Sequence, residues 1–185
     1  MLLKLIILVE IIILIILLLL GLMVYFNNKF FLIYIKKILC KVNWIDNKNE
    51  IIKNLWLGDN ISAHDKIFIK DNNIRLIVNV TKECKFIDLK NIKKYRINIC
   101  DDGSLLTNSK LLRDFSFVKD LIKETLKKNE GVLIHCMEGV QRSAALTILY
   151  LMNENDISYD EAYEKVKNRR PCIFYNKSNF KHIFN

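Results

Sequence analysis

The stretch VLIHCMEGVQRSA at residues 132–144 constrains the fold more than any other part of the chain. An apolar run ends at His135, a polar loop follows Cys136, and helix-forming residues begin at Arg142. This pattern predicts a buried strand, a tight loop and a helix in succession, with backbone N–H groups of the loop gathered at the helix N-terminus. A buried strand joined to a helix in this way favours an α/β fold.

The same loop has the composition of an oxyanion site beside a nucleophile. The helix dipole and the loop N–H groups attract anions, and glycine gives the backbone freedom that a tight cradle needs. Arg142 can grip two oxygens of a tetrahedral anion with its planar guanidinium, and Cys136 in this positive field is favoured as a nucleophilic thiolate. The loop residues that we expect to surround the anion are Met137, Glu138, Gly139, Val140 and Gln141.

The rest of the chain after residue 46 alternates between strand and helix patterns. Strands are predicted at 51–58, 74–80, 94–99 and 131–135, where short β-rich runs are bounded by polar residues. A long amphipathic helix is predicted around residues 111–126 and ends at the signal Lys127, Lys128 and Gly131. Further helices are predicted at 143–155 and from Ser158, which stands three residues before Glu161 as in a capping box. We therefore expect a central, mostly parallel sheet flanked by helices.

The N-terminus is expected to be a separate membrane anchor, comprising residues 1–26. Residues 5–26 carry a single charge, Glu10, and a helix of that length at about 1.5 Å per residue crosses a hydrocarbon layer of roughly 30 Å. One Lys precedes this run and four follow it within residues 27–41, which predicts a single-pass protein with its C-terminal part in the cytosol. A cleaved signal peptide and a buried core helix are the alternatives.

Residues 27–45 are predicted to form a basic juxtamembrane segment, either as an interfacial helix or as a linker, and residues 46–185 a single domain. Of the net charge of +9, the first 45 residues carry five Lys and one Glu, or +4, so the domain is only mildly basic. The domain lacks the clustered basic and aromatic stripe of a nucleic-acid-binding surface, and no nucleic acid partner is expected.

The five cysteines, at positions 40, 84, 100, 136 and 172, lie at least sixteen residues apart. This spacing fits neither a zinc site nor a disulfide framework, so the sequence predicts reduced thiols with no metal and no cofactor.

The sequence HCMEGVQRS after a buried strand resembles the phosphate-binding loop of the cysteine-dependent protein tyrosine phosphatases, and its surroundings resemble the dual-specificity branch. The resemblance covers residues 51–183, in which NLWLG, IRLIVNVT, INICDD and VKNRRPCIFYNKSNF occur in the order typical of that family. It implies that Cys136 is the nucleophile, Arg142 the phosphate-binding arginine and Ser143 the hydroxyl that eases departure of the thiolate. His135 is expected to orient the loop by hydrogen bonding.

The resemblance places the general acid at the end of INICDD. Asp101 matches the position of the family acid better, with Asp102 as the alternative. Cys84 lies near the strand end where related phosphatases hold a partner thiol, which suggests the hypothesis that it protects Cys136 from overoxidation as a disulfide.

The function implied is a membrane-tethered dual-specificity protein phosphatase that hydrolyses phosphotyrosine and phosphoserine/threonine through a phosphocysteine intermediate. Its partners would be phosphorylated proteins. The alternatives are a phosphoinositide phosphatase, an RNA 5′-phosphatase and a non-catalytic phospho-binding module. An acidic Glu138 at the mouth of the loop argues against highly phosphorylated lipid headgroups.

Overall fold

The computed structural model describes the backbone of residues 2–26, 46–175 and 178–184. Its strands are β1 (Lys48–Ile52), β2 (Leu55–Gly58), β3 (Ile74–Asn79), β4 (Lys93–Arg96) and β5 (Gly131–His135). Its α-helices are α1 (Leu2–Phe26), α2 (Lys66–Asp71), α3 (Leu105–Lys127), α4 (Arg142–Asn155) and α5 (Tyr159–Arg169), with short 3-10 helices at Ser62–His64 and Lys181–Ile183.

The described strands form one mixed sheet in the order β1-β2-β5-β3-β4. Strands β2, β5, β3 and β4 are parallel, and β1 runs antiparallel to β2. The C-terminal ends of parallel strands meet at one edge of a sheet, and here His135 is in register with both Gly58 and Asn79. The loop after β5 therefore opens at the edge where ligands bind in open α/β sheets.

Helices cover both faces of the sheet, which confirms the predicted α/β class. Val132 and Ile134 of β5 point into the larger core beneath α3, α4 and α5, whereas Leu133 points into a smaller core with Phe68 of α2. Every residue of β5 is buried, as expected for a central strand with helices on both sides. The nucleophile loop is thus fixed to the most enclosed strand of the sheet.

The predicted capping box is present at the start of α5. The Ser158 hydroxyl accepts a hydrogen bond from the Glu161 N–H, and the Glu161 carboxylate accepts one from the Ser158 N–H at 2.9 Å. Helix α3 ends at Lys127 and β5 begins at Gly131, as predicted, but the left-handed residue that follows the helix is Asn129, with φ 58°, and not Gly131.

The single strand predicted at 51–58 is wrong, because the structure has a hairpin of β1 and β2 there. Asn54 adopts φ 65° in the two-residue turn, and its N–H donates to the Glu50 carboxylate at 2.8 Å. Asn tolerates this left-handed conformation better than most residues. Lys53 and Asn54 are the only polar residues between two apolar runs, and a Lys-Asn pair without glycine or proline is a weak turn signal.

Helix α1 extends over Leu2–Phe26, and its side chains are described for residues 9–21. Among the described residues, no helix is both long and apolar enough to cross a membrane. The expected transmembrane helix is therefore not supported by the described part of the chain. The predicted juxtamembrane segment at 27–45 lies outside the described residues.

Candidate active site

The carbonyl groups of the loop after β5 accept hydrogen bonds from other parts of the chain, which lie on the outer side of the loop. The Met137 carbonyl accepts from the Asn60 N–H and the Val140 carbonyl from the Phe174 N–H, at 3.2 and 3.1 Å. The carbonyls of Glu138 and Gly139 accept from the Arg170 guanidinium, at 3.3 and 2.8 Å. In a trans peptide the N–H points away from the C=O. The amides that follow these four carbonyls therefore point to the opposite side of the loop, and they belong to Glu138, Gly139, Val140 and Gln141.

The sulfur of Cys136 lies on that inner side. Its Sγ accepts hydrogen bonds from the Gly139 N–H and the Ser143 hydroxyl, both at 3.2 Å. Helix α4 begins at Arg142, so the positive end of its dipole adds to these donors. Two donors and a helix N-terminus stabilise negative charge on the sulfur.

Gly139 is the loop position that admits no side chain. Its φ is +67°, and a Cβ there would stand 2.6 Å from the Gly58 carbonyl oxygen and 2.8 Å from Arg170 Nη2. The loop thus packs directly on the end of β2, and only glycine allows both the backbone conformation and this approach.

Arg142 is buried beside Cys136 and is already paired. Its Nη1 donates to Glu83 at 2.6 Å, and its Nε lies 3.7 Å from Asp101 Oδ2. Burial would lower the pKa of Arg142, but the negative charges of Cys136, Glu83 and Asp101 outweigh it and raise the pKa. The buried Nε has no hydrogen-bond partner. A buried guanidinium with an unused donor is prepared to bind an anion.

Glu83 was not predicted as a site residue. It lies in the loop after β3, which is fixed by Arg96, since that guanidinium donates to the carbonyls of Thr81 and Cys84 at 2.7 and 2.6 Å. Burial would raise the pKa of Glu83, but the hydrogen bond from Arg142, the charge of Arg142 and hydrogen bonds from the backbone together outweigh this and lower the pKa. The sequence feature that could have indicated Glu83 is its position after β3, because that parallel strand ends at the same edge of the sheet as β5.

The structure separates the two candidate acids. Asp101 lines the cavity in front of the loop, and burial raises its pKa although Arg142 acts in the opposite direction. Asp102 is exposed, and the hydrogen bond from the Ser104 N–H lowers its pKa. A raised pKa favours the protonated form that a general acid needs. The environment of Asp101 therefore suits the role better, and the assignment stays a prediction.

Asn179 was also not predicted, although it holds Asp101. Its side-chain amide donates to the Asp101 carbonyl at 3.3 Å and lies 3.5 Å from the carboxylate. Its N–H donates to the Gln141 side chain at 3.2 Å, so one residue links the acid loop to the phosphate loop. Sequence offers little signal for such a residue, because it lies 78 residues from Asp101 along the chain.

His135 is completely buried at the end of β5. Its Nδ1 lies 3.3 Å from the Cys136 carbonyl oxygen, and its Nε2 has no hydrogen-bond partner. Burial lowers the pKa of His135 to about 4, so the ring is neutral at pH 7. His135, which was predicted to orient the loop, thus makes one hydrogen-bond contact, to the backbone carbonyl of Cys136.

The cavity in front of the loop has a volume of about 180 Å³ and is lined by Asp101, Cys136, Glu138, Val140, Gln141, Tyr175 and Asn179. Glu138 is exposed at its rim, and its neighbour in sequence, Met137, is also exposed. Within residues 46–175 and 178–184, no cluster of His, Cys, Asp and Glu is arranged to hold a metal.

Comparison with known proteins agrees with this geometry. The family model described as "Dual specificity phosphatase, catalytic domain" matches residues 55–185. Human "Dual specificity protein phosphatase 21" is 31% identical over 137 residues, which cover 74% of this chain and 70% of that protein. "Putative tyrosine-protein phosphatase AMV078" of Amsacta moorei entomopoxvirus is 36% identical over 138 residues, 71% of this chain and 81% of that protein. Among solved structures, human DUSP28 is similar with a TM-score of 0.67 at 21% identity, covering 75% of this chain and 90% of that one.

The chain belongs to the dual specificity phosphatase family, and it is an enzyme of the protein-tyrosine/dual-specificity phosphatase class.

Protonation of His135 is expected to destabilise the fold in acid. The folded pKa is about 4, whereas an unfolded His has a pKa of about 6.5, so only the unfolded chain binds this proton between the two values. The free energy of unfolding should therefore fall by roughly 3 kcal/mol as the pH decreases from about 6.5 to about 4. Denaturant unfolding at several pH values would measure this, with His135→Gln as the comparison. An equal pH dependence in the variant would contradict the prediction.

The hypothesis of a protective disulfide predicts a cross-link between Cys84 and Cys136, which are both buried free thiols. Burial raises the pKa of Cys84, so its attack on an oxidised Cys136 should be faster in mildly alkaline solution. Peroxide treatment and non-reducing peptide mapping are expected to recover the cross-link in the native chain and only irreversible oxidation of Cys136 in Cys84→Ser. Sulfinic acid at Cys136 in both proteins, without a cross-link, would reject the hypothesis.

Proposed function

We propose that this enzyme hydrolyses phosphotyrosine and phosphoserine/threonine in proteins through a phosphocysteine intermediate. The observation that carries the proposal is the position of the Cys136 sulfur, which accepts two hydrogen bonds inside a loop whose amides point inward. The relatives' names refer to dual specificity and tyrosine-protein phosphatases, which supports phosphorylated proteins as substrates.

In the first step the Cys136 thiolate attacks phosphorus, and the bond from phosphorus to the ester oxygen breaks. The leaving oxygen takes a proton from Asp101, whose raised pKa keeps that proton available. Arg142 and the loop amides bind the non-reacting oxygens, on which negative charge resides in the transition state. The products are the free alcohol and phosphocysteine.

In the second step water attacks the phosphocysteine, gives its proton to Asp101, and the bond from sulfur to phosphorus breaks. The thiolate that leaves is stabilised by the Ser143 hydroxyl, which lies 3.2 Å from Sγ. Phosphate is released and both side chains return to their starting states.

The alternative substrates are less favoured by the rim of the cavity. Glu138 is exposed and lines the cavity, so it repels the additional phosphates of a polyphosphorylated lipid or an RNA 5′-triphosphate. A phosphorylated side chain brings a single phosphate to the site.

The nucleophile is tested by Cys136→Ser. This variant is expected to lose measurable phosphate release from phosphopeptides while it still binds them, because the amides and Arg142 remain. Phosphate release and peptide binding by calorimetry would be measured beside Cys172→Ser, a matched change at another buried thiol. Turnover by Cys136→Ser at the wild-type rate would overturn the assignment, and binding without turnover by the wild-type chain would identify a phospho-binding module.

The general acid is tested by comparing Asp101→Asn with Asp102→Asn. We expect Asp101→Asn to lower kcat on phosphotyrosine peptides by roughly 10² to 10⁴, and far less on aryl phosphates whose leaving groups need no proton. Asp102→Asn serves as the matched control and should have a mild effect. The reverse ranking would transfer the role to Asp102.

We further propose that α1 tethers the enzyme to a membrane with the phosphatase domain in the cytosol. The sequence supports this through an apolar run with one charge and through the Lys bias after it. The large apolar side chains at positions 11–20 are 47–71% exposed over nearly three helical turns, so apolar groups face outward all round the helix. Such a surface is more stable in lipid than in water.

Membrane tethering is tested by fractionating cells that express the full chain. The protein is expected to stay with the membranes after an alkaline wash, and the double variant Leu14→Lys, Leu17→Lys to be released, since each Lys at mid-helix costs about 3 kcal/mol. Recovery of the native chain in the soluble fraction would reject the tether and leave the phosphatase activity untouched.

A further inference from the structure

Arg170 is a buried arginine that directly follows α5, and its guanidinium donates hydrogen bonds to four uncharged acceptors. Its Nε donates to the Gly139 carbonyl at 2.8 Å and its Nη2 to the Glu138 carbonyl at 3.3 Å. Its Nη1 donates to the Asp46 carbonyl at 2.8 Å and to the Asn49 side-chain oxygen at 2.7 Å. One guanidinium therefore joins the phosphate loop to the beginning of β1.

On the loop side, Arg170 fixes the two central peptide planes. With the carbonyls of Glu138 and Gly139 held behind the loop, the amides of Gly139 and Val140 must point inward. The outer two carbonyls are held by backbone N–H groups, which no substitution of a side chain removes. A change at Arg170 would therefore release the middle of the oxyanion cradle and leave its ends in place.

On the other side, the partners of Arg170 precede the region that the family model matches, which begins at residue 55. Asp46 is the first residue after the segment 27–45, and Asn49 lies in the edge strand β1. The contact to the Asp46 carbonyl connects the loop to the place where the N-terminal segment joins the domain.

We infer that Arg170 is a positioning residue for the phosphate loop, and that Asn49 acts on the loop through it. The inference rests on the proposed phosphatase function. A Lys at position 170 would keep the positive charge but could not reach acceptors on both sides, because it lacks the planar fork. The single substitution Arg170→Lys therefore separates the effect of the hydrogen-bond geometry of the guanidinium from the effect of its charge.

The test uses the full chain in detergent and measures binding of inorganic phosphate by calorimetry together with kcat and KM on a phosphotyrosine peptide. Removal of one oxyanion donor typically costs 10² to 10³ in kcat, so Arg170→Lys, which loosens two amides, is expected to lose at least about tenfold in kcat and in phosphate affinity. Asn49→Ala should cost about threefold in the native background and nothing further in Arg170→Lys, because coupled residues are not additive.

The matched controls are Arg169→Lys and Asn168→Ala, which alter exposed neighbours on α5. Thermal unfolding of each variant shows that rates are compared between folded proteins. If Arg170→Lys does not fold, the comparison of Asn49→Ala with Asn168→Ala decides, since Asn49 is only half-buried.

Rates and phosphate affinities within twofold of wild type in both Arg170→Lys and Asn49→Ala would overturn the inference. An additional loss from Asn49→Ala in the Arg170→Lys background would show that Asn49 acts independently of Arg170. A wild-type chain that binds phosphate without hydrolysing the peptide, and loses that binding in Arg170→Lys, would reject the proposed function and keep the positioning role. A wild-type chain that binds no phosphate would reject both.

Discussion

The hydrogen bonds that hold the carbonyls of residues 137–140 behind the loop determine what the site can do. An isolated five-residue loop could turn any of its peptide planes, and an oxyanion site needs all of them turned the same way. The donors come from the turn after β2, from Arg170 and from Phe174, so three separate parts of the chain must be folded first. The inward amides, the contacts of Cys136 and the start of α4 then follow from a backbone that is already fixed.

The electrostatics of the site are also arranged before substrate binds. Arg142 is buried against Glu83 and Asp101, and these two contacts fix the position of its guanidinium. A dianionic phosphate must compete with Glu83 for this guanidinium, and the buried Nε offers it an unused donor. Arg142 is buried whereas Glu83 is partly exposed, so removing Glu83 would leave a buried positive charge with one partner fewer.

Local patterns predicted those parts of the molecule that depend on local physics. The strand–loop–helix around Cys136 and the capping box at Ser158 could be predicted because the residues that form them are close together along the chain. Glu83, Asn179 and Arg170 were missed because each reaches the site from 31 to 78 residues away, through contacts that no periodicity records. The hairpin at Asn54 was missed although its contacts are local, since the two polar residues of the turn include neither glycine nor proline.

The rim of the cavity determines how this enzyme can discriminate between substrates. The loop amides and Arg142 bind the phosphoryl group, which every substrate of the enzyme has in common. The remainder of a phosphorylated protein must rest on the rim, where the negative Glu138 is exposed and is preceded along the chain by Met137, an exposed apolar side chain. Preference among phosphoproteins would then be encoded in the few residues around each phosphorylation site, with basic or apolar neighbours accepted and acidic neighbours rejected.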